Sequence, residues 1–148
     1  MDADAMGQIL EQIPFTRDLG LRIERAAEDE VRMTLPDGAA TRNLAGSLHA
    51  GALFTFGETV AGVAAGLRTF ERAFPFARRA EIRYRRPGRG GLLGRARVGA
   101  DEVARVLAEI EREGRSELAV SVTMEDASGE TVAEMRVDYA FRPLPERP

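Results

Sequence analysis

The sequence predicts an α+β domain in which an antiparallel sheet lies against one long, weakly polar helix. Three observations carry this expectation. Six short runs alternate apolar with polar residues, the period of strands that bury one face. One stretch, 49–70, instead repeats apolar residues at three- and four-residue steps. Turn-forming clusters, among them Pro36-Asp-Gly38, Pro87-Gly-Arg-Gly-Gly91 and Asp126-Ala-Ser-Gly129, punctuate the alternating runs.

In chain order, residues 5–13 read as a short amphipathic helix with Met6, Ile9, Leu10 and Ile13 on one side and Pro14 as its stop. Leu21-Ile23 and Val31-Met33-Leu35 are alternating strands joined by the polar turn Ala26-Ala-Glu-Asp-Glu30, hence a hairpin. A loop over 37–48 leads into the long helix. Phe74-Pro75-Phe76 is expected to break the chain before a strand carrying Ala80, Ile82 and Tyr84, with 92–98 as that strand's partner. Val103, Val106, Leu107 and Ile110 share one helical face, and Gly114 is placed to stop that helix. Leu118 to Met124 and Ala133 to Phe141 alternate without a break, the clearest hairpin in the chain. Residues 143–148 read as a frayed tail.

Composition narrows the function classes. At 148 residues the chain suits a single cored domain, read as 1–148. A net charge of −3 with 30% charged residues fits an ordinary globular chain and argues against general nucleic-acid binding. Every basic residue is Arg, which we attribute to codon usage before function. Without Cys there is no disulfide, thiolate metal site or cysteine nucleophile, and a single His makes no convincing metal cluster. No charged-then-apolar leader opens the chain, and Glu58 interrupts the best apolar run, so a cytoplasmic, non-membrane protein is expected.

The long helix carries the candidate chemistry. Leu53, Phe56, Gly57, Val60, Ala64 and Leu67 form its apolar stripe, while Gly51, Phe54, Glu58, Ala61 and Ala65 occupy the other side. Gly57, Gly62 and Gly66 each cost about 1 kcal/mol against Ala in a helix, so close packing or passage of a ligand must offset them. Glu58 has no charged neighbour on its own helix; it points to solvent, is paired with one of the many Arg, or is functional. Asn43, Ser47 and His49, the only histidine, stand at the entrance, with Ser47 the natural N-cap. Free amides at that entrance would polarise a carbonyl at the dipole's positive end. Yet Gly51 and Glu58 are about 10 Å apart at 1.5 Å rise per residue. No single reacting carbon reaches both groups. A two-fold dimer with antiparallel helices would bring the acid from a second copy.

The wording Asn43-x-x-Gly46-x-x-His49-Ala50-Gly51-Ala-Leu-Phe54-Thr-x-x-Glu58 resembles the hotdog-fold thioesterases of the phenylacetic-acid-pathway type, in a branch written His-Ala-Gly-Ala-Leu-Phe. The match is specific across 43–62, and Tyr84-x-x-Pro87 extends it. The resemblance implies an antiparallel sheet wrapped around the long helix, and dimers or tetramers with sites at the subunit interface. It implies a coenzyme A thioester as substrate, without metal or redox cofactor. On it, Asn43 helps place the attacking water, His49 supports the substrate carbonyl, the Ala50 amide is the oxyanion donor and Glu58 of the partner chain is nucleophile or base. Gly51 and Phe54 are expected to contact substrate, Phe54 as part of an apolar pocket. The sequence departs from the pattern in carrying Ala50 where Gly is usual. It also lacks, over 74–80, the Ser or Thr that usually stands near the acid.

Arg83 and Arg85 belong to a cluster with Arg78, Arg79, Arg86 and Arg89 that either holds the phosphates of a nucleotide tail or is a solvated strand face. Three alternatives to a hydrolase stand on the same fold: a non-catalytic acyl-coenzyme A binder or regulator, a structural oligomerisation domain, and a hydratase or dehydratase.

Overall fold

The computed structural model describes residues 3–27 and 30–144. The elements run α1 (Ala3–Glu11), α2 (Pro14–Asp18), β1 (Arg22–Ala26), β2 (Val31–Leu35), α3 (Ala50–Gly66), β3 (Ala73–Tyr84), β4 (Leu92–Ala96), α4 (Ala100–Glu113), β5 (Ser116–Glu125) and β6 (Thr131–Pro143). The strands form one six-stranded sheet in the order β1-β2-β4-β5-β6-β3, with every pairing antiparallel. The α3 helix lies against this sheet and touches β2 to β6. This is the α+β hotdog architecture that the sequence predicts.

The inward rows are those of the sequence pattern. Met33, Val120, Val122, Met124 and Val137 are buried in one core cluster with Phe56 and Val60, which are 0% exposed. Burial of α3 goes further than the predicted stripe: Ala61 and Ala65 are buried too, so the helix is enclosed nearly all round. Its exposed or half-exposed residues are gathered on one strip holding Gly51, Phe54, Thr55, Glu58 and Gly62. Glycine lets the layers close up. A Cβ at Gly94 of β4 would stand 2.8 Å from the Phe56 ring and 2.9 Å from Val60. One at Gly57 would meet Met135 Sδ at 2.7 Å.

Several local expectations are corrected. Pro14 does not only end the first helix; it opens α2, because its missing N–H is no loss at a first helical position. Phe74-Pro75-Phe76 lies inside β3, not before it. The strand is at the sheet edge, the one place where a proline without N–H is tolerated. Its partner is β6, with Ala77 opposite Tyr139 and a register shift between Ala77 and Arg79. The 92–98 segment therefore does not pair with it: β4 sits between β2 and β5. The long helix stops at Gly66 rather than running to 70, since the Phe70 ring folds back over Gly66, where a Cβ would lie 2.4 Å from it. The α4 helix buries Val103, Val106 and Ile110, and Gly114 ends it at φ 68°, as expected. The turn expected at 26–30 and the tail expected at 143–148 lie partly outside the described residues.

Candidate active site

The site is built on the entrance and exposed strip of α3. Before the helix, Arg42 bridges to Leu48 and the His49 amide donates to the Thr41 carbonyl at 2.7 Å. The Leu48 amide donates to the Gly88 carbonyl at 2.9 Å, which clamps this loop to the turn after β3. Asn43 closes the loop on itself. Its Oδ1 accepts from the Ala45 amide at 2.9 Å and the Ser47 amide at 3.1 Å, and its Nδ2 donates to Ser47 Oγ at 2.9 Å. Ser47 is thus buried in that turn, and the N-cap falls to His49 instead. His49 Nδ1 accepts the Gly51 amide at 2.9 Å, so the ring proton sits on Nε2. With the Gly51 amide used in this cap and the Leu53 amide on the His49 carbonyl, the Ala50 and Ala52 amides at the helix start meet no acceptor among the described residues. The Ala50 carbonyl accepts from the Tyr84 hydroxyl at 3.1 Å, which ties the helix entrance to the end of β3.

Two turns along, Glu58 is half-buried with no cation beside it among the described residues. Its partner is Tyr139 on β6, a buried side chain whose hydroxyl lies 3.3 Å from Glu58 Oε1 and 3.2 Å from the Glu58 carbonyl oxygen. Burial raises the Glu58 carboxyl above its ordinary range, and the Tyr139 hydrogen bond pulls part of that back. Burial and the neighbouring carboxylate raise the Tyr139 phenol in turn, so it remains a donor. Gly62 makes room for the pair: a Cβ there would be 3.4 Å from the Tyr139 hydroxyl and 3.8 Å from Glu58 Oε1.

These groups open into a cleft of about 1200 Å³ between α1, α2, the exposed strip of α3 and the start of β3. Of the residues proposed from sequence, His49, Gly51, Phe54 and Glu58 line it together. Ala50 sits at its mouth by position, next to His49 and Gly51. Asn43 is not on the wall, and neither are Arg83 and Arg85. Those two are exposed, paired with Glu81 at 3.7 Å and Glu134 at 2.8 Å. The arginine on the cleft wall is Arg42, held by Asp37 at 2.6 Å. The sequence reading missed Arg42, Tyr139 and the wall supplied by α1 and α2.

Known proteins agree on this architecture. A crystal structure of a Pseudomonas aeruginosa protein of unknown function, described as a probable thioesterase, has a TM-score of 0.83 at 29% identity, covering 97% of each chain. A protein of unknown function from Chlorobaculum tepidum gives 0.84 at 17% identity, over 95% of this chain and 96% of that one. A Haemophilus influenzae thioesterase gives 0.81 at 18% identity, over 99% of this chain and 94% of that one. The latter two show the fold alone. No curated protein matches the chain. The family model described as a domain of unknown function (DUF4442) matches residues 5–140, nearly the whole chain, and the chain belongs to that family.

Proposed function

We propose that the chain is an acyl-coenzyme A thioester hydrolase of the phenylacetic-acid-pathway type, working as a homodimer whose sites lie between the two copies. The observation that carries this reading is Glu58: a carboxylate on an enclosed helix, held by one phenol and open to an apolar cleft. A purely structural carboxylate would be expected to meet a cation, and the chain has Arg to spare. The Pseudomonas relative described as a probable thioesterase supports the reaction class.

The two functional groups divide the work. Along one helix Ala50 and Glu58 are about 12 Å apart, too far to serve one carbonyl carbon. The free edge of β3, with Phe76 and Tyr84 exposed on it, offers a surface for a second copy. In the dimer, Glu58 of one protomer faces the start of α3 in the other. Glu58 takes a proton from water as the water oxygen bonds to the thioester carbon. The oxyanion accepts the Ala50 N–H at the positive end of the α3 dipole, supported by His49 Nε2–H. Collapse breaks the C–S bond, and the departing thiolate takes the proton back from Glu58. A thiolate leaves readily, so no stronger acid is needed. Asn43 acts through the shape of the entrance loop, and Arg83 and Arg85, outside the cleft, suit the phosphates of the nucleotide tail.

Glu58→Gln should lower thiol release from acyl-coenzyme A by at least about 100-fold, the usual share of a general base, with the circular-dichroism melt little changed. Full turnover in that variant would remove the carboxylate from the mechanism. Binding of acyl-coenzyme A without any thiol release in the unaltered protein would favour a binding or regulatory role.

A further inference from the structure

The cleft is polar along part of the α3 strip and apolar elsewhere, and its apolar part is larger than the chemistry needs. Arg42 and His49 stand at the α3 entrance, and Glu58 stands two turns along. From there the wall continues past Gly62 and Val63, so the α3 face of the cleft from Gly51 to Val63 runs about 18 Å at the helical rise. Opposite α3, Ile9, Ile13 and Phe15 of the α1–α2 segment turn large apolar side chains into the space, with Phe70 and Phe74 beside them. Ile13 and Phe15, 43% and 68% exposed, line the cleft instead of filling the core. Met6 and Leu10, on the same helix, are buried and anchor it.

Two of the three threonine hydroxyls on the cleft wall are already spent. Thr16 Oγ1 donates to the Leu10 carbonyl at 3.0 Å, and Thr59 Oγ1 donates to the Thr55 carbonyl at 2.7 Å. Thr55, beside Glu58 on the exposed strip, keeps the one threonine hydroxyl without a partner among the described residues; past it, burial of the ligand's apolar surface must supply the affinity. A two-carbon acyl group would leave most of a cleft of about 1200 Å³ unfilled.

Resting on the hydrolase reading above, we infer that the preferred substrates carry a long apolar acyl chain, and that α1 and α2 form the wall that selects for it. The carbonyl sits beside Glu58 and the tail runs under Ile9, Ile13 and Phe15.

The test measures thiol release from acetyl-, butyryl-, octanoyl-, dodecanoyl- and phenylacetyl-coenzyme A. Each added methylene should raise kcat/KM roughly three- to fourfold until the cleft is filled, the equivalent of about 0.8 kcal/mol of burial. Ile13→Trp, which occupies the cleft, and Phe15→Ser, which strips its wall, should each lower the dodecanoyl-to-acetyl ratio by at least about tenfold. A maximum at acetyl, butyryl or phenylacetyl, or an unchanged ratio in both variants, would overturn the inference and leave the hydrolase intact. If no ester releases thiol, calorimetry on the unaltered protein still decides. Dodecanoyl-coenzyme A binding at least about tenfold tighter than acetyl-coenzyme A would support the acyl wall while the hydrolase reading fell. Equal affinities, or no binding, would end the acyl-wall inference.

Discussion

At position 58 a carboxylate and at position 139 a phenol share one hydrogen bond in a setting where either alone would be poorly solvated. The chain's two tyrosines both tie α3 down: Tyr84 through the Ala50 carbonyl, Tyr139 through Glu58. This fills the gap left by the missing Ser or Thr over 74–80, since the hydroxyl near the acid arrives from β6 rather than from β3. The consequence is a pH effect with a definite sign. In the proposed reaction Glu58 must be ionised to accept a proton, and burial raises its carboxyl above the ordinary value of 4.5. The acidic limb of kcat/KM should therefore lie above that value. The Tyr139 hydrogen bond favours the ionised form and lowers the limb. Tyr139→Phe should move the acidic limb to higher pH, with activity recovered as pH rises; an unmoved limb would leave Tyr139 a packing residue only. The signal for this pair was present in the sequence. Glu58 lacked a charged neighbour on its helix, and Tyr139 stood in an inward-facing apolar row where its hydroxyl needed an acceptor. Which of the two inward ends of the sheet met Glu58 depended on a strand register that periodicity does not contain.

Among the elements, the local patterns were legible and the long-range pairings were not. Both hairpins, the α3 stripe and the α4 face follow from spacing of apolar residues, because a half-buried strand or helix must alternate in that way. The pairing of β3 with β6, and the insertion of β4 between β2 and β5, join segments far apart in the chain and leave no mark on either one's period. Pro75 misled for a related reason: proline excludes a central strand, and only the finished sheet reveals that β3 is an edge. His49 as cap was hidden because Ser47, the better capping residue by type, is engaged with Asn43. The glycines of the layer contact are the sharper test of packing. Gly94→Ala would drive a methyl into Phe56 and Val60, both 0% exposed and unable to swing to solvent. It should destabilise the fold by about 1–3 kcal/mol, read as a lower urea midpoint at unchanged slope. A midpoint that did not fall would show that α3 and β4 are less tightly closed than these distances state.

For the whole molecule, the spacing of functional groups along α3 governs how many chains make one site. Helical rise fixes the Ala50-to-Glu58 separation at about 12 Å in every copy, and both ends of α3 are held, by Tyr84 at the entrance and by Phe70 folded over Gly66 at the exit. Rearrangement within one protomer therefore does not bring the acid to the amide, whereas the proposed two-fold axis beside α3 would do so twice. Chains bearing Glu58→Ala and chains bearing His49→Ala should each be nearly inactive alone. His49→Ala also removes the α3 cap, worth about 1 kcal/mol, so its melt is measured first to confirm a folded population. When the two are unfolded, mixed in equal amounts and refolded together, half of the dimers are hybrids, and each hybrid holds one intact site and one doubly altered site. Thiol release should then return to about a quarter of the unaltered rate, with the light-scattering mass of a dimer or a tetramer built from such dimers. A site contained in a single chain predicts no recovery at any mixing ratio, because every chain in the mixture lacks one of its two groups.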